Sequence, residues 1–290
     1  MADVLIFGLS NSLQLALVAI GFSFVFGISG IANFAYGAFY LFGGYLAFAF
    51  FKDGTGLPYW AATLLAMLIL FIVGSLVYRL AIQRIRGAML SEVIVTMGIG
   101  VFIIELMRAY SNIGHNKYLP AFIPGYVNIF DVGIENQRLL IIATGLLLFV
   151  ILWAFTRYSR IGLAFRAMSQ DELTALSIGL NNNFLATLAM GIGAVLAVVS
   201  ALCIIPQGFL SIDGAYEVLI YALAVGVLGG MGSTSGIIVG AFVLGYAQTL
   251  TARFISPQWT MVVTFLAIVL VLLIKPSGIF GKQKELEERV

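Results

Sequence analysis

Apolar runs separated by short polar breaks fill the chain, at about 8–29, 33–51, 58–78, 90–109, 138–156, 184–205, 215–231, 236–252 and 258–274. A helix crosses the hydrocarbon core with about 20 apolar residues, so this pattern predicts an all-α polytopic membrane protein with eight or nine crossings in a single bundle. The runs 33–51, 215–231 and 236–252 are short or rich in glycine. They are the candidates for broken or re-entrant segments, which a bilayer tolerates only against protein or water. No fixed-period repeat and no linker divides the chain, so residues 1–290 are read as one transmembrane domain.

One long polar interruption stands out, Arg157 to Asn183. Within it Ser169 and Glu172 have the spacing of a capping box, in which the hydroxyl accepts from the third helical N–H and the carboxylate reaches back to the cap. Asp171 and Glu172 add negative charge at the positive end of the helix dipole, and Gly179 followed by Asn181–Asn183 supplies a stop. The expectation is a short helix at about 170–178. Leu173, Leu176 and Leu180 would form an apolar stripe along it, open to a partner.

Composition agrees with a membrane protein: 61% hydrophobic and 10% charged residues, against roughly 25% charged in soluble domains. The net charge of +2 is scattered over loops and excludes a nucleic acid held by a basic field. It sets topology instead. Arg79, Arg84 and Arg86, then Arg157, Arg160 and Arg166, then Lys275, Lys282, Lys284 and Arg289 make up ten of the 15 basic residues. Two apolar segments separate the first group from the second and four separate the second from the third. All three groups can therefore lie in the cytoplasm at once. The N-terminus is then outside with nine crossings, or inside if 33–51 only dips into the membrane, and the loop Tyr110–Gln137 is outside. The first run is too long for a signal-peptide core and lacks a basic leader, so it reads as a retained span. The charged tail from Lys282 reads as solvated.

Chemistry for catalysis is sparse. Cys203 is the sole cysteine and lies in an apolar run, and His115, the sole histidine, falls in the outer loop without partners for a metal. Glu92, Glu105, Asp213 and Glu217 lie near segment ends, and Glu105 has Arg108 three residues on. No carboxylate is placed at mid-bilayer, where an ion-coupled carrier would need one. The Gly281-Lys282 pair has Pro276 in place of the first glycine of a phosphate loop. The chain therefore reads as a pathway without an ATPase site, a cofactor or a metal, and energy for active transport would come from another polypeptide.

Small residues recur at packing intervals: Gly193, Ala197 and Ala201; Gly226 and Gly230; Gly232, Gly236 and Gly240. The cluster Gly229-Gly230-Met231-Gly232-Ser233 reads as a turn between short helices lining a cavity. Between the first two runs, Asn33-Phe34-Ala35-Tyr36-Gly37 is either a discontinuous helix exposing backbone groups inside the membrane or an interfacial turn capped by Asn33.

These residues resemble the permease subunits of branched-chain amino acid ABC importers over nearly the whole chain. Asn33–Gly37 is similar to that family's Asn-Phe-Ala-His-Gly motif, with Tyr36 in place of histidine. Arg157–Gly162 through Arg166 and Asp171–Gly179 resembles its coupling loop, Gly229–Ser233 with Gly236 its late glycine motif, and Lys275–Gly281 its C-terminal signature. The resemblance implies a multi-pass protein of a bacterial or archaeal plasma (inner) membrane. Its partners would be a second permease, related or identical, two cytoplasmic ATP-binding subunits that use the ATP, and a periplasmic or extracellular solute-binding protein. The residues themselves supply the other two expectations: the broken-helix and glycine-turn signals make Asn33, Phe34, Tyr36, Gly37, Gly229, Gly230, Gly232 and Ser233 the candidate substrate pathway, and the capped helix with its open stripe makes Ser169, Asp171, Glu172, Leu173, Leu176 and Gly179 the handle for a separate ATPase. The alternative is a stand-alone channel for a small neutral solute such as urea or a short amide.

Overall fold

A computed structural model describes residues 2–53, 56–110, 118–129, 132–208 and 210–281; His115 and the tail from Lys282 lie outside these. Helix α1 spans Ala2–Ser29. Helix α2, Tyr36–Phe48, continues through a π-helical turn, Ala49–Asp53. Helix α3, Tyr59–Val77, ends in a π-helical segment, Tyr78–Ile82, and a last turn, Gln83–Ile85. Helices α4, Met89–Tyr110, and α5, Asn136–Tyr158, flank a two-stranded antiparallel hairpin, β1 Tyr126–Ile129 with β2 Val132–Glu135. Two short helices follow, α6 Arg160–Gln170 and α7 Glu172–Ser177. The chain closes with α8 Asn182–Ile204, α9 Ile212–Gly229, α10 Thr234–Phe254 and α11 Thr260–Ile274.

Eight of these helices are long and apolar enough to cross a bilayer, and α2 is the shorter ninth. α9 and α10 are unbroken spans of 18 and 21 residues, which corrects the expectation that 215–231 and 236–252 are broken. Their glycines serve the crossing instead. Gly229 and Gly236 face each other with no room for a Cβ on either, and Gly240 lies against Val225 O and the backbone of Gly229. Small residues allow such an approach in lipid, where apolar burial gives no drive between helices.

α1 and α8 form the buried centre, and α11 is the least buried of the described spans. α1 runs along α10 and α8, with α2 and α3 packed on the far side of α8. Ser200 links the central pair by donating to Leu17 O at 2.7 Å, and Gly193 packs where a Cβ would strike Val25. Asn11, Gln248 and Thr264 form a polar clasp across α1, α10 and α11: Asn11 Nδ2 donates to Gln248 Oε1 (3.1 Å) and Gln248 Nε2 to Thr264 Oγ1 (2.8 Å). Cys203 is buried beside Leu17 and Ile141, and Glu105 pairs with Arg108 at 2.9 Å on the exposed face of α4.

The ends of α3, α5, α9 and α11 share one face with the starts of α4, α8 and α10, and that is the face the basic residues assign to the cytoplasm. α1 starts on the opposite face, where Tyr246 near the end of α10 donates to Leu5 O. It descends to the inner face, where Gly27 meets Gly232. The chain then climbs back without helical structure through Gly30–Ala35 before α2 begins.

Candidate functional site

The break between α1 and α2 lies inside the bundle. Phe34 N–H donates to Thr96 Oγ1 and Asn33 Nδ2 meets Met190 Sδ at 3.2 Å. Thr96 is seven residues into α4 and Met190 eight into α8, so the turn sits about 10–12 Å from the inner ends of those helices. Asn33 is buried, accepts Ala35 N–H on its side chain (3.1 Å) and Tyr36 N–H on its carbonyl (3.1 Å). The discontinuous-helix reading therefore holds, while the interfacial turn does not: the break lies within the bundle, the cap position of α2 is Ala35 with no side-chain cap bond, and Asn33 instead supplies partners for backbone groups that lipid could not satisfy. Tyr36 is fully buried, edge-on to Phe22 with ring centroids 6.1 Å apart. Gly37 lies against the carbonyl of Ala215, where a Cβ would overlap it.

Above this turn, toward the outer face, a cavity of about 800 Å³ opens between α1, α2, α9, α10 and the outer ends of α5 and α8. Its rim carries Asp3, Arg138, Glu217 and Arg253 with the amides of Asn11, Gln14, Gln207 and Gln248, and its floor is Leu15, Val18, Tyr40, Leu41 and Val218. From Asp3 to Val18 is about 22 Å of helix, so the cavity reaches past the middle of α1. One turn deeper on each helix stand Phe22 and Tyr36. They close the floor. Rim charges are partly paired, Asp3 with Arg253 at 3.8 Å and Arg138 with Glu135 at 4.0 Å, and the Arg138 guanidinium stands 5.2 Å from the centre of the Phe7 ring.

The residues assigned from sequence to the pathway do not line this cavity. Asn33, Phe34, Tyr36 and Gly37 form the plug beneath its floor. Gly229, Gly230, Gly232 and Ser233 lie at the inner face as packing elements: Ser233 caps α10 by accepting Gly236 N–H (3.1 Å), and Ser23 Oγ accepts Gly232 N–H (3.2 Å). The segment after α11 folds onto them, with Ile279 and Phe280 donating to Leu228 O and Gly229 O at 2.9 Å. It satisfies carbonyls that the end of α9 leaves open. Gly232 borders a smaller cavity of about 230 Å³ between α1, α5, α6 and α10. What the sequence missed is the amide-bearing wall. Its signal was present as Asn11, Gln14 and Gln248 inside apolar runs.

At the inner face the interruption 157–183 holds two helices rather than one. Ser159 caps α6 by accepting Gly162 N–H at 2.8 Å, and Gly162, Phe165 and Met168 turn inward at three-residue spacing. Because α6 runs through Gln170, Ser169 lies within its last turn and donates to Arg166 O (2.9 Å), so it caps nothing. Asp171, with extended backbone, is the cap of α7. Its carboxylate accepts Leu173 N–H (2.9 Å) and the Thr174 hydroxyl. This corrects the expected capping box, and Glu172 turns to Arg86, 2.7 Å away. The predicted stop holds: Gly179 has φ +87°, and N–H groups of Gly179 and Leu180 bond to Leu176 O and Ala175 O, a Schellman motif. Ala175 is buried, while Leu173 and Leu176 are 67% and 50% exposed. Leu180 is half-buried and leaves the stripe.

Residues 4–272 match the family described as branched-chain amino acid transport system, permease component. The chain belongs to this family. It is 32% identical to the high-affinity branched-chain amino acid transport system permease protein BraD of Pseudomonas aeruginosa, over 96% of this chain and 95% of that one. It is 30% identical to the corresponding LivH of Escherichia coli, over 92% and 91%. LivM of Salmonella typhimurium, a second permease protein of such a system, is 28% identical over 91% of this chain and 67% of its own length. Among solved structures, PsaBC from Streptococcus pneumoniae in complex with Fab contains a similar chain, with a TM-score of 0.52 over 94% of this chain and 92% of that one. At 13% identity that likeness concerns the fold alone. In this member of the family a cavity toward the outer face, an aromatic pair packed beneath it and a capped helix on the inner face occur together.

Proposed function

We propose that this permease is the membrane-spanning subunit of an ABC importer in a bacterial or archaeal inner membrane. It would carry a branched-chain or related amino acid, with ATP consumed by two separate cytoplasmic subunits. A solute-binding protein delivers the substrate to the outward cavity, and a second permease, related or identical, completes the translocation unit; that both LivH and LivM resemble this chain supports a paired arrangement. The cavity suits such a solute. Rim groups of both signs meet an ammonium and a carboxylate, and the apolar floor meets an aliphatic side chain.

The observation that carries the reading is the exposed pair Leu173 and Leu176 on a helix held rigid by its cap and its Schellman stop. An apolar surface on so short a helix fits a cleft in a partner protein. Replacing both leucines by Asp places unpaired carboxylates in that cleft. Uptake by the assembled complex should then fall about tenfold or more while the permease still reaches the membrane. Unchanged uptake refutes the docking role, and uptake by the purified chain alone in liposomes would make it a channel instead.

A further inference from the structure

The side-chain contacts of Glu172 tie α7 to the α3–α4 hairpin through Arg86. This residue leaves the α3–α4 hairpin with 15% of its side chain exposed, and its guanidinium meets groups from three elements. Nη1 donates to the Tyr78 hydroxyl at 2.7 Å and stands 3.5 Å from Asn183 Oδ1, and Nη2 lies 2.7 Å from Glu172 Oε1. The Tyr78 hydroxyl in turn donates to Asn183 Oδ1 at 3.1 Å. At the other end of the pair, Glu172 O accepts Asn182 Nδ2 at 2.9 Å.

Tyr78 opens the π-helical segment of α3 and is fully buried in a cluster with Val25 of α1, Phe165 of α6 and Leu185 of α8. Single π turns interrupt helical register and recur at functional positions. Glu172 is the residue before Leu173, so a push on the leucine face moves its carboxylate directly. The fold of α6 and α7 already rests on Phe165, Met168 and Ala175. What the pair adds is a mechanical tie between the docking helix and the α3–α4 hairpin.

We propose that Arg86 is a positioning residue for transport: its bridge from Glu172 to Tyr78 passes movement of α7 to the α3–α4 hairpin. This deepens the docking role proposed above and rests on it. The test is the assembled transporter in proteoliposomes, with uptake and ATP hydrolysis both measured. Arg86→Gln and Glu172→Gln should each lower solute carried per ATP by about fivefold or more, in the range of ordinary coupling between sites, while hydrolysis continues. Glu172 is half-exposed, so Glu172→Gln leaves folding intact. Exchanging the charges, Arg86→Glu with Glu172→Arg, should restore most of the ratio lost in Arg86→Glu alone, which a merely structural role would not do. A wild-type ratio in Glu172→Gln, or an exchange no better than the single variant, overturns the bridge. Leu173→Asp measured in parallel separates the two ideas. If it uncouples while Glu172→Gln does not, docking stands and the bridge is wrong; if it changes neither uptake nor hydrolysis, both fall.

Discussion

Gly37 shows what a single residue contributes inside this membrane bundle. Its α-carbon lies so close to the carbonyl of Ala215 that a methyl group would overlap the oxygen, and the obstacle is backbone that cannot turn aside. Gly37→Ala should therefore cost about 1–3 kcal/mol by overpacking. The thermal midpoint of the purified permease in detergent measures it. Gly98, on α4 with open space around its α-carbon, is the matched control. Gly98→Ala should leave the midpoint unchanged or raise it slightly, because alanine is the better helix former. Spacing flagged small residues in this chain but could not rank them, since both glycines look alike in an apolar run. The same holds for Asn33. Its sequence neighbours offered two roles, and only the positions of Thr96 and Met190 place it inside the bundle as the support of a broken helix.

Among the elements, α7 was the one most legible from sequence and also the one most altered by structure. Its existence, its stop at Gly179 and its exposed Leu173 and Leu176 follow from local chemistry. The cap shifted from Ser169 to Asp171 because α6, unforeseen, extends through Gln170 and keeps Ser169 helical. Asp171→Ala should thus destabilise the start of α7 by about 1 kcal/mol, while Asp171→Asn, an equal cap, should not. Hydrogen exchange at the Leu173 and Thr174 amides distinguishes them: faster in the alanine variant, near wild type in the asparagine variant. Ser169→Ala should leave that exchange unchanged, and acceleration there would restore the capping box. α9 and α10 show the opposite error. Dense glycine suggested broken helices, yet glycine inside a closely packed pair is held by its neighbours and the helix continues.

For the whole molecule, the proposed route has a checkable consequence: the cavity opens toward the outer face and Phe22 and Tyr36 pack beneath it, so access should differ between the two sides. With Cys203 replaced by serine, cysteines at Gln14 and Glu217 should react with a membrane-impermeant thiol reagent added outside, since both residues line the cavity. A cysteine at Asn33 should be protected at rest and react only while the assembled importer turns over. Equal labelling of all three at rest would show that the plug is not closed. The sequence by itself determined the all-helical membrane class, the family, the basic face and the short helix with its exposed leucines, because each is written in local composition, short-range spacing or an ordered set of motifs. The cavity, its plug and the Arg86 bridge were decided only by tertiary structure. They join residues such as Asn11 with Gln248, or Arg86 with Glu172, that lie far apart in the chain. In a uniformly apolar sequence no periodicity says which helix faces which. That choice is made by close packing of small residues and by the few polar side chains that must find partners within the bilayer.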